Sequence, residues 1–279
     1  MKKLLISGEN AEFQIIESLK TNRNKRCKNR EIFIEGIESI KQAIKAGLLI
    51  TRIIVMQNIS SWAKNTIEQL SASDDSRAGG DLKLIEMSES LYKKLCDRSE
   101  PSEMLVTAQM PVLTLDSIAL PQKPFILVLD RPSDTGNLGS IIRSANAFGV
   151  DAVLLMGHGV DPWDPKTIRA SMGSVFFTVP VQLESFDQLD DLIGSQKSRN
   201  GITVYGTDSN GELPLGPGLF KRPLMLILGN EAKGLSVALQ ELCDKIISIP
   251  MKGTVNSLNI ASAASILMWE VVKNVECGV

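Results

Sequence analysis

A single histidine, His158, in 279 residues leaves little room for two common chemistries. Ser-His-Asp and Cys-His catalysis both need an imidazole beside the nucleophile. His158 lies in GHGVDP, just past an apolar run, where a plain loop histidine is the simpler reading. The four cysteines, Cys27, Cys96, Cys243 and Cys277, are scattered singly with no CxxC pair. With one histidine beside them, no metal site is expected, and they are read as reduced packing thiols. No window approaches the roughly 18 apolar residues of a membrane span. The opening MKKLLISGEN has two lysines and an apolar run of only three residues, too short for a signal peptide. The expectation is a cytoplasmic protein with no membrane partner. An excess of one charge is also missing. Thirty basic residues against 32 acidic ones give a net charge of −2, which argues against a protein that coats nucleic acid but leaves room for a local basic patch.

What is present suits an ordinary globular chain. At 43% hydrophobic and 22% charged residues it can bury a substantial core. The first part alternates helical and extended patterns. EFQIIESLK, IESIKQAIKAG, SWAKNTIEQL and SESLYKKLC read as helices, and EIFIEG, TRIIVM, DLKLIEM and EMLVTAQM as strands. In the second helix Ile37, Ile40, Ala43 and Ile44 share a face, with Gly47 as the stop. SASDDSRAGGD reads as a surface loop. MPVLTLDSIALPQKP, with three prolines in fifteen residues, reads as a linker. Six short apolar runs follow: FILVLD, DAVLLMG, SVFFTVPV, ITVYGTD, LMLILG and KIISIPM, which suit a parallel sheet buried on both faces. The expected domains are an α/β unit over 1–110, a linker over 111–123 and a doubly wound α/β unit over 124–279, with ligands beyond the carboxyl ends of its strands.

Three polar or glycine-rich segments directly follow strands: DRPSDTGNLGSIIRSANAFG, GNEAKGLS (229–236) and PMKGTVNSLNIASAA (250–264). The expected topology gathers them at one end of the sheet. Familiar phosphate loops do not fit. GNEAKGLS has the glycines and serine of a P-loop, but Leu235 stands at the lysine position. The first loop offers GNLG rather than GxGxxG, so a dinucleotide is poorly supported. In that loop Ile141, Ile142, Ala145 and Phe148 fall at helical spacing, while the turn before them carries Asn137 and two glycines. Upstream, KTNRNKRCKNR (20–30) has six basic residues in eleven and no acid, either a solvated loop or a phosphate contact surface.

Together the three loops resemble the signature motifs of the SpoU (TrmH-like) family of RNA 2′-O-ribose methyltransferases, in the SPOUT superfamily. The motifs are NLGSIIRSANAFG, LILGNEAKGLS and IPMKGTVNSLNIASAA, in order, over roughly residues 124–275. FIEGIESIKQAIKAG is similar to the family's ribosomal-protein-like substrate-binding domain. Thr135 departs from the family's usual proline, which suggests a looser turn. The first unit ends RSEPSEMLVTAQM where relatives often carry Pro-Gln-Gly.

The resemblance implies a Rossmann-like parallel sheet with a trefoil knot, an exception to the usual rule of unknotted chains. It implies S-adenosyl-L-methionine as cofactor, a homodimer through the C-terminal domain, and RNA as substrate, ribosomal RNA favoured over transfer RNA. By motif position Gly229, Ile249, Leu258, Leu228 and Met251 would bind the cofactor. Gly229 would let it approach the bare backbone, and Ile249 and Leu258 would face adenine unless they are simply core. Arg143, Asn137, Glu231, Ser257 and Asn259 would form the catalytic group. Arg143 matches the family's catalytic arginine. Its pKa above ~12 favours a clamp on phosphate and on alkoxide character over a base. Asn137 would orient Arg143 or the ribose, or cap a helix. Glu231 would accept from an RNA or protein donor, or serve as a first-turn acid. Ser257 and Asn259 would hold the nucleotide or Arg143, or cap the last helix. Arg23, Lys25, Arg26, Lys28 and Arg30 would contact the RNA backbone. In the last helix Ile260, Ala264, Leu267, Val271 and Val275 form a stripe widened by Ala263, Met268 and Val272, broad enough to suggest a subunit interface. A transfer-RNA methyltransferase, a catalytically silent RNA-binding protein on this scaffold, and a nucleotide-dependent enzyme of another class are the competing readings.

Overall fold

Six of the expected strands are built from apolar runs whose residues are nearly all removed from water in a computed structural model of the chain. It describes residues 1–56, 59–72, 82–97 and 101–273. Most of the expected loop SASDDSRAGGD, together with Cys277 and Val275, lies outside the described residues. The chain divides into two units, Met1–Pro111 with Trp163–Phe176, and Val112–Pro162 with Phe177–Val279.

In the first unit the order is β1 (Lys2–Ile6), α1 (Ala11–Thr21), α2 (Arg23–Asn29), β2 (Glu31–Glu35), α3 (Ile37–Lys45), β3 (Ile50–Val55), α4 (Ser61–Ala72), β4 (Lys83–Met87), α5 (Glu89–Leu95) and β5 (Met104–Gln109). The strands form one sheet in the order β1-β4-β3-β5-β2. β1, β4 and β3 run parallel, and β5 pairs antiparallel with β3 and β2. α1 starts where the Asn10 side chain accepts from Phe13 N, and it buries Phe13, Ile16 and Leu19 against Phe33, Ile54 and Leu105. α3 ends before Gly47, whose φ of +72° suits a residue without a Cβ. Its face is narrower than expected. Ile40 and Ala43 are buried, whereas Ile37 is 40% exposed.

Two segments depart from expectation here. KKLLI forms β1, an edge strand that pairs with β4 and buries only Ile6, so its apolar signal is short. KTNRNKRCKNR is no loop: seven of its residues form α2, capped by the Asn22 side chain at Lys25 N and closed by Arg30 at φ +51°. Cys27 is exposed there rather than packed, while burial pushes the Cys96 thiol up to about 12.

The second unit holds β6 (Phe125–Asp130), α6 (Thr135–Ala147) and β7 (Ala152–Met156). The chain next passes through α7 (Pro165–Ala170), which belongs to the first unit, and re-enters at β8 (Val181–Gln182). It continues through α8 (Phe186–Asn200), β9 (Thr203–Thr207), β10 (Leu213–Pro214), β11 (Leu224–Leu228), α9 (Val237–Leu242), β12 (Lys245–Ser248) and α10 (Ile260–Val272). The sheet order is β10-β12-β9-β11-β6-β7-β8, with every pair parallel. β6, β7 and β11 are buried along their whole length, as a parallel sheet covered on both faces requires. The last strand inserts between β9 and β10, so the segment carrying the third loop leaves from inside the sheet. α10 packs on α6, with the Ser144 and Ser265 hydroxyls 2.8 Å apart and the Phe148 and Trp269 ring centroids 6.1 Å apart.

SVFFTVPV is not the continuous strand its composition suggests. Ser174–Phe176 is a short 3-10 turn of the first unit, and only Val181–Gln182 pairs with β7. Gly173 at φ +81° turns the chain, and Pro180 has no N–H to give a ladder. Val175 and Phe176 are apolar because they are buried in the first unit, with the Phe176 ring stacked on Trp163 at 6.5 Å. Among the described residues no helix is long and apolar enough to cross a membrane.

Candidate active site

The parallel topology brings the ends of β6, β9, β11 and β12 to one edge, and a cavity of about 540 Å³ opens there, within the roughly 300–1,000 Å³ of small-molecule sites. It belongs entirely to the second unit. All five residues expected to hold a cofactor line it: Leu228 and Gly229 after β11, and Ile249, Met251 and Leu258 after β12. Asn137, Glu231, Ser257 and Asn259 line it as well, whereas Arg143 does not. Met251 and Leu258 are each 37% exposed, so Leu258 is not a core residue. These are apolar side chains facing an open cavity.

A chain of side-chain hydrogen bonds ties the three loops together. The Asn259 Nδ2–H donates to Asn137 Oδ1 at 2.9 Å. Asn137 Nδ2 donates in turn toward Glu231 Oε1 at 3.5 Å. Glu231 also accepts from the Ser133 hydroxyl at 2.6 Å and from Ser133 N at 3.2 Å. Asn230 Nδ2 donates to the Arg131 carbonyl at 2.7 Å, a second tie between the first and second loops.

These partners revise several expected roles. Asp134, not Asn137, caps α6, accepting from Asn137 N at 2.7 Å. Thr135 therefore sits at the first helical position, where the family's proline would also fit, and the Asp134 cap closes the turn. Asn137 bonds Asn259 and Glu231 rather than Arg143. Glu231 lies in a turn ahead of α9, so it is not a first-turn acid, and its partners are protein donors. Asn259 does cap α10, with Oδ1 accepting from Ala261 N at 2.8 Å while Nδ2 reaches Asn137. Arg143 is exposed on α6 and has no hydrogen-bond or ion-pair partner among the described residues.

The protein itself already requires a glycine at 229, which also lines the cavity. A Cβ there would lie 2.4 Å from Gly234 C and from Leu235 N. The second loop folds back on itself: Asn230 N donates to Gly234 O at 3.0 Å and Gly234 N to Asn230 O at 2.9 Å. Asn230 Oδ1 caps the turn at Ala232 N and Lys233 N.

The sequence reading missed Thr207, Asp208 and Ser209 at the end of β9, along with Asn230 and Asn256, all of which line the cavity. TDS after the strand ITVYG was a legible signal, since ligands gather at the carboxyl ends of parallel strands. Among the described residues the lining contains Asp208 and Glu231 but no Lys, Arg or His. Apolar walls with carboxylates and no cation suit an aromatic, positively charged ligand and repel a phosphate. Among the described residues no group of three or more His, Cys, Asp or Glu is placed to hold a metal.

In the basic stretch, Arg23, Lys25, Lys28 and Arg30 are exposed, but Arg26 is 2% exposed. Its guanidinium donates to the Leu19 carbonyl at 2.8 Å and the Lys20 carbonyl at 3.1 Å, and pairs with Asp164 at 3.5 Å. Arg26 therefore closes the end of α1 and is withdrawn from any RNA contact.

Comparison with known proteins agrees with this architecture. The family described as "SpoU rRNA Methylase family" matches residues 124–269, and the "SpoU L30e-like domain" matches residues 10–109. The chain is 33% identical to the 23S rRNA (uridine(2479)-2′-O)-methyltransferase of Streptomyces viridochromogenes, over 96% of this chain and 91% of that protein. It is 28% identical to the 23S rRNA (guanosine(2553)-2′-O)-methyltransferase RlmP of Bacillus subtilis, over 96% and 98%. Among solved structures, the SpoU methyltransferase AviRb of S. viridochromogenes in complex with AdoMet superposes with a TM-score of 0.85 at 33% identity, covering 97% of this chain and all of that one. An AdoMet-bound rRNA methyltransferase of Sinorhizobium meliloti gives a TM-score of 0.81 at 26% identity, covering 98% of each.

Proposed function

This chain belongs to the SpoU family of RNA methylases, and we propose that it transfers a methyl group from S-adenosylmethionine to a ribose 2′-hydroxyl of large-subunit ribosomal RNA. The observation that carries this reading is the Asn259–Asn137–Glu231–Ser133 chain, which joins all three family loops at the rim of one cavity. The rRNA choice follows the full-length similarity to two 23S rRNA 2′-O-methyltransferases.

The cavity suits the cofactor. Leu228, Ile249, Met251 and Leu258 would hold the adenine, and the absence of a lining cation suits a ligand that carries positive charge. When bound, S-adenosylmethionine supplies a methyl group already activated on a sulfonium. The remaining demands fall on the protein. The ribose hydroxyl must be aligned with that methyl, and its oxygen must be supported as its proton leaves. Asn137 and Asn259 fix each other's amides and so set the wall against which the ribose rests. Glu231, filled by donors from Ser133 and Asn137, braces the wall and is not a base. Ser257, on the same rim, is a donor for the nucleotide. Arg143 keeps its guanidinium free to hold the RNA phosphate and stabilise alkoxide character.

In this reading residues 1–110 bind RNA, with Arg23, Lys25, Lys28 and Arg30 as phosphate contacts on α2, and residues 124–279 carry catalysis. The catalytic part forms a homodimer through α10. On that helix Ile266 and Trp269 are 40% and 55% exposed, beside a face buried through Ala264, Leu267, Met268 and Val271. The protein acts in the cytoplasm, where its substrate is.

The test is methyl transfer from labelled S-adenosylmethionine to RNA fractions from cells lacking the gene. Label entering 23S RNA supports the reading. Label confined to transfer RNA moves the activity to another RNA, and cofactor binding without label in any fraction favours a silent RNA-binding protein.

A further inference from the structure

Asp208 is the acidic residue of the cavity that no part of the mechanism above employs. It follows β9, and its backbone N–H donates to the Ile247 carbonyl of β12 at 3.0 Å. That bond sets it against the apolar wall of the cavity, since Ile247 is itself a lining residue. Its Oδ1 accepts from Asn210 N at 2.8 Å, which fixes the side-chain rotamer through a tight turn. Its Oδ2 has no hydrogen-bond or ion-pair partner among the described residues and lies 3.5 Å from where a Cβ on Gly234 would stand. Thr207 and Ser209 flank it on the same rim. The other carboxylate of the cavity, Glu231, is filled by protein donors. Of these two carboxylates, Asp208 is the one with an acceptor in reserve among the described residues.

Its place in the sheet says which part of a ligand it meets. β9 is separated from β6, whose loop carries Asn137, by β11, a distance of about 9.6 Å at ~4.8 Å per strand. Asp208 therefore leaves the sheet two strands away from the loop that carries Asn137. It stands beside the apolar surface formed by Ile247 and Ile249, which suits a base. The group joined to a base is its sugar, and a carboxylate is the usual acceptor for a ribose hydroxyl. We infer that Asp208 accepts a hydrogen bond from a ribose hydroxyl of the methyl donor's adenosine and so positions the donor without touching the transferred group. This rests on the assignment of S-adenosylmethionine to the cavity.

The experiment is calorimetric titration of the full chain with S-adenosylmethionine, with 5′-methylthioadenosine, which lacks the amino-acid tail, and with 5′-methylthioadenosine stripped of both ribose hydroxyls. Asp208→Ala is expected to weaken the first two ligands about 10- to 100-fold, as loss of a charged hydrogen bond would. It should bind the stripped ligand as the wild type does. Asp208→Asn keeps the Asn210 turn, so weaker binding by this variant with an unchanged unfolding temperature excludes a folding defect. Weaker binding of S-adenosylmethionine but not of 5′-methylthioadenosine would assign Asp208 to the amino-acid tail and overturn the proposal. Unchanged affinity for both would also overturn it. A wild-type chain that binds no S-adenosylmethionine would instead remove the cofactor assignment on which it rests.

Discussion

The side-chain amide of Asn259 donates to the side-chain carbonyl of Asn137 across 122 positions of sequence, at 2.9 Å. Each asparagine is fixed from its other side: Asn259 by capping α10, and Asn137 by its bond toward Glu231. The pair behaves as one positioned surface. Asn259→Ala should therefore lower kcat/KM about 10- to 100-fold by letting the ribose wall drift. Asn137→Ala should do the same, and the double variant should lose little more than either single one. Fully multiplied losses in single-turnover assays would show that the two act independently.

Arg143 lies outside the cavity and has no internal partner among the described residues. Arg143→Ala should cost transfer at least 100-fold while leaving the Kd for S-adenosylmethionine within about twofold. Arg143→Lys keeps the charge but loses the planar fork, so it should recover only part of the activity. The check is methyl transfer measured beside calorimetric binding. Lost cofactor affinity would place Arg143 in the cavity instead.

The basic stretch should divide into two kinds of residue. Arg26→Ala strands two carbonyls and Asp164, and should cost about 2–4 kcal/mol of stability in denaturant unfolding. Lys25→Ala, Lys28→Ala and Arg30→Ala should leave stability nearly unchanged. Each should weaken RNA binding and flatten the log Kd against log salt slope by about 0.7–0.9. Unchanged salt slopes in all three would remove α2 from the RNA surface.

The first unit should lose stability in acid through Glu12. Burial disfavours its ionised form, but Arg52 at 2.6 Å and Lys83 at 2.9 Å outweigh that and hold its pKa below the ordinary 4.5. A carboxylate depressed in the folded state contributes stability that is present above its unfolded pKa and lost as pH falls through the folded one. Urea unfolding between roughly pH 6 and pH 3 should show that loss below about pH 4.5, and Glu12→Gln should flatten it. Identical pH dependence in both proteins would contradict this.

The parallel strands of the second unit were legible because full burial on both faces demands unbroken apolar runs. Much of the cavity wall was legible because it falls in three short motifs, whereas Thr207, Asp208 and Ser209 follow β9 outside them. What the sequence hid was partnership. Asn137 and Asn259 both read as helix caps, and only the fold shows that one caps while the other is held by it. Gly229 suggested close approach of a ligand, and the sequence did not show that Gly234 and Leu235 crowd it as well. The charge of Arg26 looks the same in sequence as that of Lys25 or Lys28, and helical geometry alone turns it inward. In SVFFTVPV, burial in the first unit imitated a sheet strand. β1 was silent because an edge strand buries one residue and repeats no pattern.

The most direct measurement is the position of the transferred methyl. 23S RNA labelled by the enzyme with S-adenosylmethionine should be hydrolysed in alkali and its products separated. Cleavage needs a free 2′-hydroxyl, so a 2′-O-methyl leaves its label in an alkali-stable dinucleotide. That product, present with the wild-type chain and absent with Arg143→Ala, is the predicted result. Label recovered only in mononucleotides would put the methyl on a base and contradict the account.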